Sequence, residues 1–137
     1  AKLIDAGAQV DLQNKHGSTA LMAASAMGRT ETVATLIAKG AKLDLQTKCG
    51  YTALMAASKM GHAETAAKLI DAGAQVDLQN KHGSTALMAA SAMGRTETVA
   101  TLIAKGAKLD LQTKCGYTAL MAASKMGHAE TAAKLID

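Results

Sequence analysis

Residues 67–137 repeat residues 1–71 without one substitution, and a shift of 33 still matches 21 of the first 33 positions. A short period nested in an exact longer one is the feature that most limits what this chain can fold into. Self-similarity at 20–50 residues belongs to stacked arrays, in which each unit buries its apolar face on its neighbours. The glycines keep the same beat: Gly7, Gly17, Gly28 and Gly40 return as Gly40, Gly50, Gly61 and Gly73.

Within one period the residues spell out local structure. Thr19 stands as an N-cap before the helix formers Ala20, Leu21, Met22, Ala23 and Ala24, its hydroxyl able to accept a free backbone N–H. Gly28 suits the left-handed position that ends a short helix. A second helix is expected from Thr30, with Glu31 in its first turn and Lys39 in its last, both favourable to the helix dipole. Val33, Leu36 and Ile37 give it one apolar face, and Gly40 closes it. The following "AKLDLQTKCG" alternates apolar and polar residues before its glycine, which predicts a short extended arm ending in a turn. With no Phe, Trp or Pro and two Tyr, the interior must be Ala, Leu, Ile, Val and Met. Small Ala side chains let such helices stack closely, and the apolar content argues against disorder.

The stretch "G-x-T-A-L-M-A-A-S-x-M-G-H-x-E-T", followed by "L-I-D-A-G-A-Q-V-D-L-Q", resembles the ankyrin repeat, usually worded G-x-T-P-L-H-x-A-A-x-x-G-H-x-E-V-V-x-L-L-L-x-x-G-A-D-V-N. The resemblance recurs along the whole chain. It implies an all-α solenoid of stacked helix-turn-helix units with projecting β-turn arms. Residues 1–137 then form one array: a partial unit 1–13, units 14–46, 47–79 and 80–112, and a truncated unit 113–137. Ala20, Ala53, Ala86 and Ala119 stand where the family has Pro, and Met22, Met55, Met88 and Met121 where it has His. Losing that Pro removes a pre-set φ at the first helical position, and losing that His removes a side-chain hydrogen bond between units.

Catalytic wording is absent: there is no G-x-x-x-x-G-K, G-x-G-x-x-G, H-E-x-x-H or C-x-x-C. We expect no enzyme activity and no cofactor. His62 and His128, in the family's "GH", read as structural turn histidines. His16 and His82 alternate with Cys49 and Cys115 at successive arm tips. Tips about 10 Å apart cannot share a zinc ion, whose ligands lie near 2 Å, so no metal site is expected. Cys49 and Cys115 are two repeats apart, about 20 Å and beyond disulfide reach. Free thiols without a signal-peptide pattern favour a cytoplasmic setting. The net charge of +4 is spread without a basic run, which argues against nucleic acid as a partner. No stretch reaches the roughly 18 apolar residues that cross a bilayer, so no membrane insertion is expected.

Ankyrin-like proteins bind partners through arm tips and the groove-facing end of the first helix. Carried over position by position, the resemblance implies contact residues Lys15, His16, Ser18, Ala26 and Met27, then Lys48, Cys49, Tyr51, Lys59 and Met60. Their copies are Lys81, His82, Ser84, Ala92 and Met93, then Lys114, Cys115, Tyr117, Lys125 and Met126. The methionines fit either packing filler or an adaptable contact stripe. The tyrosines fit the enrichment of Tyr at binding hot spots. Lys15, Lys48, Lys81 and Lys114 line up along the arms with Asp11, Asp44, Asp77 and Asp110 nearby, a charge ladder expected to be a solvated face.

The leading expectation is a non-catalytic scaffold that holds a protein partner on arm tips and concave groove. The alternative is a structural segment of a long array, or a unit that stacks end to end into a filament. It rests on "AKLID" at both termini, mid-helix wording without polar caps, and on a copy too perfect for a diversified binding surface.

Overall fold

Every T-A-L-M stretch begins a helix, and its threonine does so through the hydroxyl. The Oγ1 atoms of Thr19, Thr52, Thr85 and Thr118 accept the N–H of Met22, Met55, Met88 and Met121 at 3.2–3.3 Å. The computed structural model describes residues 6–137, which carry eight α-helices and no strand. They form four pairs: α1 (Ala20–Ala26) with α2 (Thr30–Ala38), α3 (Ala53–Lys59) with α4 (Ala63–Asp71), α5 (Ala86–Ala92) with α6 (Thr96–Ala104), and α7 (Ala119–Lys125) with α8 (Ala129–Ile136). The N-terminal "AKLID", where a cut helix is expected, lies outside the described residues.

Glycine ends the first helix of each pair as expected. At Gly28 (φ +68°) the N–H of Arg29 reaches the Ala24 carbonyl at 2.9 Å and that of Gly28 reaches Ser25 at 3.1 Å. This is the double hydrogen bond of a left-handed cap, and it turns the chain straight into α2. A Cβ on Gly28 would lie 2.5 Å from the His62 ring, so glycine also makes room for the turn histidine of the next pair.

Helices of seven and nine residues are too short to persist alone, so packing must hold them. Each first helix lies against its own partner and against the first helices of neighbouring pairs, and the second helices stack likewise. Leu21, Leu54 and Leu87 from the first helices meet Val33, Leu69, Val99 and Leu102 from the second, all nearly inaccessible. Ala57, Ala90 and Ala123, with no exposed surface, keep the helices close. Met22, Met55 and Met88 fill the core where the family has His.

The arms carry contacts that the sequence pattern does not display. Neighbouring tips are joined through their backbones. The N–H groups of Lys48, Lys81 and Lys114 donate to the carbonyls of His16, Cys49 and His82 at 3.0, 3.1 and 3.0 Å. Glycine allows this approach, since a Cβ on Gly50 would stand 2.8 Å from the Lys81 nitrogen. Gln13, Gln46 and Gln79 tie each arm to the next by donating Nε2–H to the carbonyls of Gln46, Gln79 and Gln112 at 3.2, 3.4 and 3.1 Å. The arm lysines stay exposed, as a solvated face requires, but three of the four arm aspartates are also tied to backbone. Asp11, Asp44 and Asp77 accept the N–H of Lys42, Gln75 and Lys108 at 2.9, 3.1 and 2.9 Å. Each of those amides comes one residue after the last one that bonds back to its helix, Ala41 to Leu36, Ala74 to Leu69 and Ala107 to Leu102.

Besides these shared contacts, successive interfaces add different ones, following the two-repeat period of the sequence. Thr30 and Thr65 share a 2.7 Å hydroxyl–hydroxyl bond between the first and second pairs, and Thr96 and Thr131 repeat it between the third and fourth. Between the second and third pairs Arg95 Nε donates to the Lys59 carbonyl at 3.2 Å, and Lys105 Nζ reaches Asp71 Oδ1 at 2.7 Å.

Candidate functional site

Two hairpin locks fix the arm tips. Asn14 Oδ1 accepts the N–H groups of His16 and Ser18, both at 2.9 Å, and Asn80 does the same for His82 and Ser84 at 2.9 and 3.0 Å. In the alternate wording Thr47 and Thr113 accept the N–H of Tyr51 and Tyr117 at 3.1 Å. Polar side chains satisfying local backbone hold these turns rigid. The residue leaving each turn therefore enters the space between arm and first helix from a fixed point.

That space is a groove. Its wider part, about 530 Å³, is bounded by His16, Ser18, Met22, Ala23 and Ala26 on one side and Lys48, Cys49, Tyr51, Lys59 and Met60 on the other. A narrower cleft of about 190 Å³ follows, floored by Ser84, Met88, Ala89 and Ala92. Tyr51 stands on one side of it and Tyr117 on the other. Ser84 and Ala92, small in one wording, thus lie on the floor with Met88 and Ala89, which both wordings share, and the tyrosines of the other wording make the walls. The wider part has Tyr51 as its one tyrosine wall.

The groove gathers ten of the eighteen charged, polar, sulfur-bearing or aromatic residues carried over from the family: His16, Ser18, Lys48, Cys49, Tyr51, Lys59, Met60, Ser84, Met93 and Tyr117. Lys15, Lys81, His82, Lys114 and Cys115 stay exposed at the tips without lining it, and so do Met27, Lys125 and Met126 at helix ends. Both cysteines are exposed free thiols. Met27, Met60, Met93 and Met126 cap the first helices and are 43–61% exposed, so they are surface rather than filler. Lys125 Nζ lies 5.4 Å from the Tyr117 ring centroid, within cation–π range. His62 and His128 sit away from the groove lining, their rings over Gly28 and Gly94, and His128 Nε2 is 3.1 Å from the Ala92 carbonyl.

Sequence reasoning named Ser84 and Ala92 but missed the rest of the floor. Met22, Met55 and Met88 are core residues that also line the groove, and each lies one turn before Ala26, Lys59 or Ala92. The four-residue spacing along one helix face was the available signal.

A family model for ankyrin repeats, three copies long, matches residues 1–80 and again 68–137. The chain belongs to the ankyrin repeat family. No curated protein matches it. Ankyrin repeats are generally protein–protein interaction modules, typically without catalytic activity of their own. Among the described residues of this ankyrin-repeat chain no helix is long and apolar enough to cross a membrane.

Proposed function

We propose that the chain is a non-catalytic scaffold that holds a protein partner in the groove between arm tips and first helices. The observation that carries this reading is the groove itself: rigid hairpins on one side, packed helices on the other, and exposed Tyr and Met between them. Rigid walls reduce the ordering cost of binding, and Tyr is enriched at hot spots. The contact residues are those of the groove together with the tip lysines. The array divides into units 14–46, 47–79 and 80–112 with partial units 1–13 and 113–137. One complete helix pair falling in each full unit supports that division.

Selection from an unbiased peptide display library tests the reading. Binders should be lost on Ala56→Arg or Ala89→Arg, which fill the groove, and kept on Ala67→Arg or Ala100→Arg, which lie on the second helices. Binders with the opposite dependence would refute it, provided circular dichroism finds all four variants folded.

One observation favours a second reading, a segment of a longer or end-to-end stacked array. Leu120 and Met121 are 37% and 48% exposed, whereas Leu54 and Met55, their copies in the second pair, are each 2% exposed. The surface that α7 leaves open is the copy of the one on α3 that α5, of the alternate wording, covers. Sedimentation and imaging over a rising concentration series decide: stacked rods support the reading, and discrete particles at the highest concentration rule it out.

A further inference from the structure

The acidic residues keep away from the groove. Among the described residues no Asp or Glu lines the groove. Asp11, Asp44 and Asp77 are held by backbone amides at the arm bases. Glu31, Glu64 and Asp71 line a hollow between α2 and α4, and Glu97, Glu130 and Asp137 line its copy between α6 and α8. The groove side carries cations instead. Lys48 and Lys59 line it, Lys81 and Lys114 follow at the next tips, and Lys125 stands over Tyr117. None of these five has a carboxylate partner among the described residues. A recess lined by one sign of charge focuses the field and draws the opposite sign.

The second observation is the tyrosine-walled cleft. At about 190 Å³ it is smaller than the 300–1,000 Å³ typical of small-molecule pockets, so it suits one side chain rather than a whole ligand. Its floor of Met88, Ala89 and Ala92 asks for an apolar one. From these together, and resting on the groove reading above, we propose that the partner is an acidic protein segment that seats one apolar anchor residue between Tyr51 and Tyr117. The anchor in the cleft gives position, and carboxylates on either side meet the lysines. Nucleic acid is the poorer fit, because the two tyrosines face one cleft rather than forming a run of stacking platforms. An anionic bilayer is poorer too, because the anchor site is recessed between arms and helices.

The test uses the library-selected peptides, remade with a fluorescent label and measured by anisotropy. Expected binders are rich in Asp and Glu around one apolar residue. Replacing their acids by Asn and Gln should weaken binding at least tenfold, and so should replacing the apolar residue by Gly. Affinity should fall as salt rises. Lys48→Gln with Lys59→Gln should weaken binding about fivefold or more, while Lys68→Gln with Lys134→Gln on the second helices should leave it unchanged. Tyr51→Ala with Tyr117→Ala should remove the advantage of the apolar anchor. Neutral or basic binders that still depend on Ala89 overturn the acidic partner and leave the groove reading standing. Binders indifferent to the groove overturn both. Tighter, lysine-dependent binding of a short DNA duplex, or of vesicles of phosphatidylcholine with phosphatidylserine, would also overturn the proposal.

Discussion

Gly50→Ala isolates the contact that joins one arm to the next. Gly50 has φ +85°, and a Cβ there would lie 2.8 Å from the Lys81 nitrogen and 2.9 Å from the Asn80 Cα. Both are backbone atoms, so the neighbour cannot swing aside as a flexible side chain would. Two controls carry the left-handed conformation without the clash: Gly116, in the same K-C-G-Y wording at φ +85°, and Gly40, between the first two pairs at φ +91°, each with nothing within 4 Å of the built Cβ. Holding alanine in the left-handed region costs roughly 1–2 kcal/mol, which is the whole effect expected at Gly40 and Gly116. At Gly50 the overlap adds about 1–3 kcal/mol as overpacking does elsewhere, and it pushes apart the Lys81 to Cys49 hydrogen bond. The total is about 2–5 kcal/mol. Urea unfolding followed by circular dichroism measures it. Native-state hydrogen exchange of α3 and α5 covers the case in which the stack opens piecewise. Equal destabilisation by Gly50→Ala and Gly40→Ala would refute the tip-to-tip contact.

Ser25, Ser58 and Ser91 are fully buried and their hydroxyls have no hydrogen-bond partner. Ser58→Ala should therefore raise stability by about 1 kcal/mol, seen as a higher urea midpoint, while Ser124→Ala at the exposed copy should change it by under about 0.5 kcal/mol. Thr30→Val removes the 2.7 Å bond to the buried Thr65 hydroxyl. It should cost about 1–3 kcal/mol, most of it recovered when Thr65→Val is added, because the cost is the orphaned hydroxyl rather than the lost bond. Asp71→Asn breaks the pair with Lys105, whose side chains are 58% and 34% exposed respectively. Thermal unfolding should register less than about 1 kcal/mol, and less still in high salt.

What the sequence displays well is whatever a residue settles with its near neighbours. Thr19 capping Met22, Gly28 ending α1 and the apolar face of Val33 and Leu36 are contacts across a few positions, so the wording alone reveals them. The arm contacts join residues a full repeat apart. That Asp44 serves the Gln75 amide, and not Lys48, follows from where the end of α4 meets the arm. No local pattern distinguishes that aspartate from a solvated one. The same holds for Tyr51 and Tyr117. Each reads as a single exposed ring, and stacking across two repeats turns them into the opposing walls of one cleft. Ser58 is a different case, since it stands where the family wording has its second Ala after T-P-L-H. That departure from an apolar pattern was visible, and only burial reveals that nothing satisfies the hydroxyl.

The two wordings of the repeat therefore have separate tasks in one groove. Ser84 and Ala92 open the floor because that unit is small where the next has Tyr117 and Lys125. A 33-residue repeat without alternation would yield either a continuous shallow trough or a row of crowded tyrosines. Stacked helices 8–10 Å apart put equivalent walls about 20 Å apart across two repeats, with one small-residue floor between them. Exact copying over 66 residues preserves that spacing and the chemistry on both sides of the cleft. Diversified contact residues would let each site recognise something different. On the proposed reading, identical ones would suit a partner with a single kind of anchor, and a second anchor in register beside Tyr51 in the wider part would strengthen the hold through effective concentration, without new contact chemistry. The perfection of the copy, which fits poorly with a surface of many specificities, is thus compatible with a surface of one.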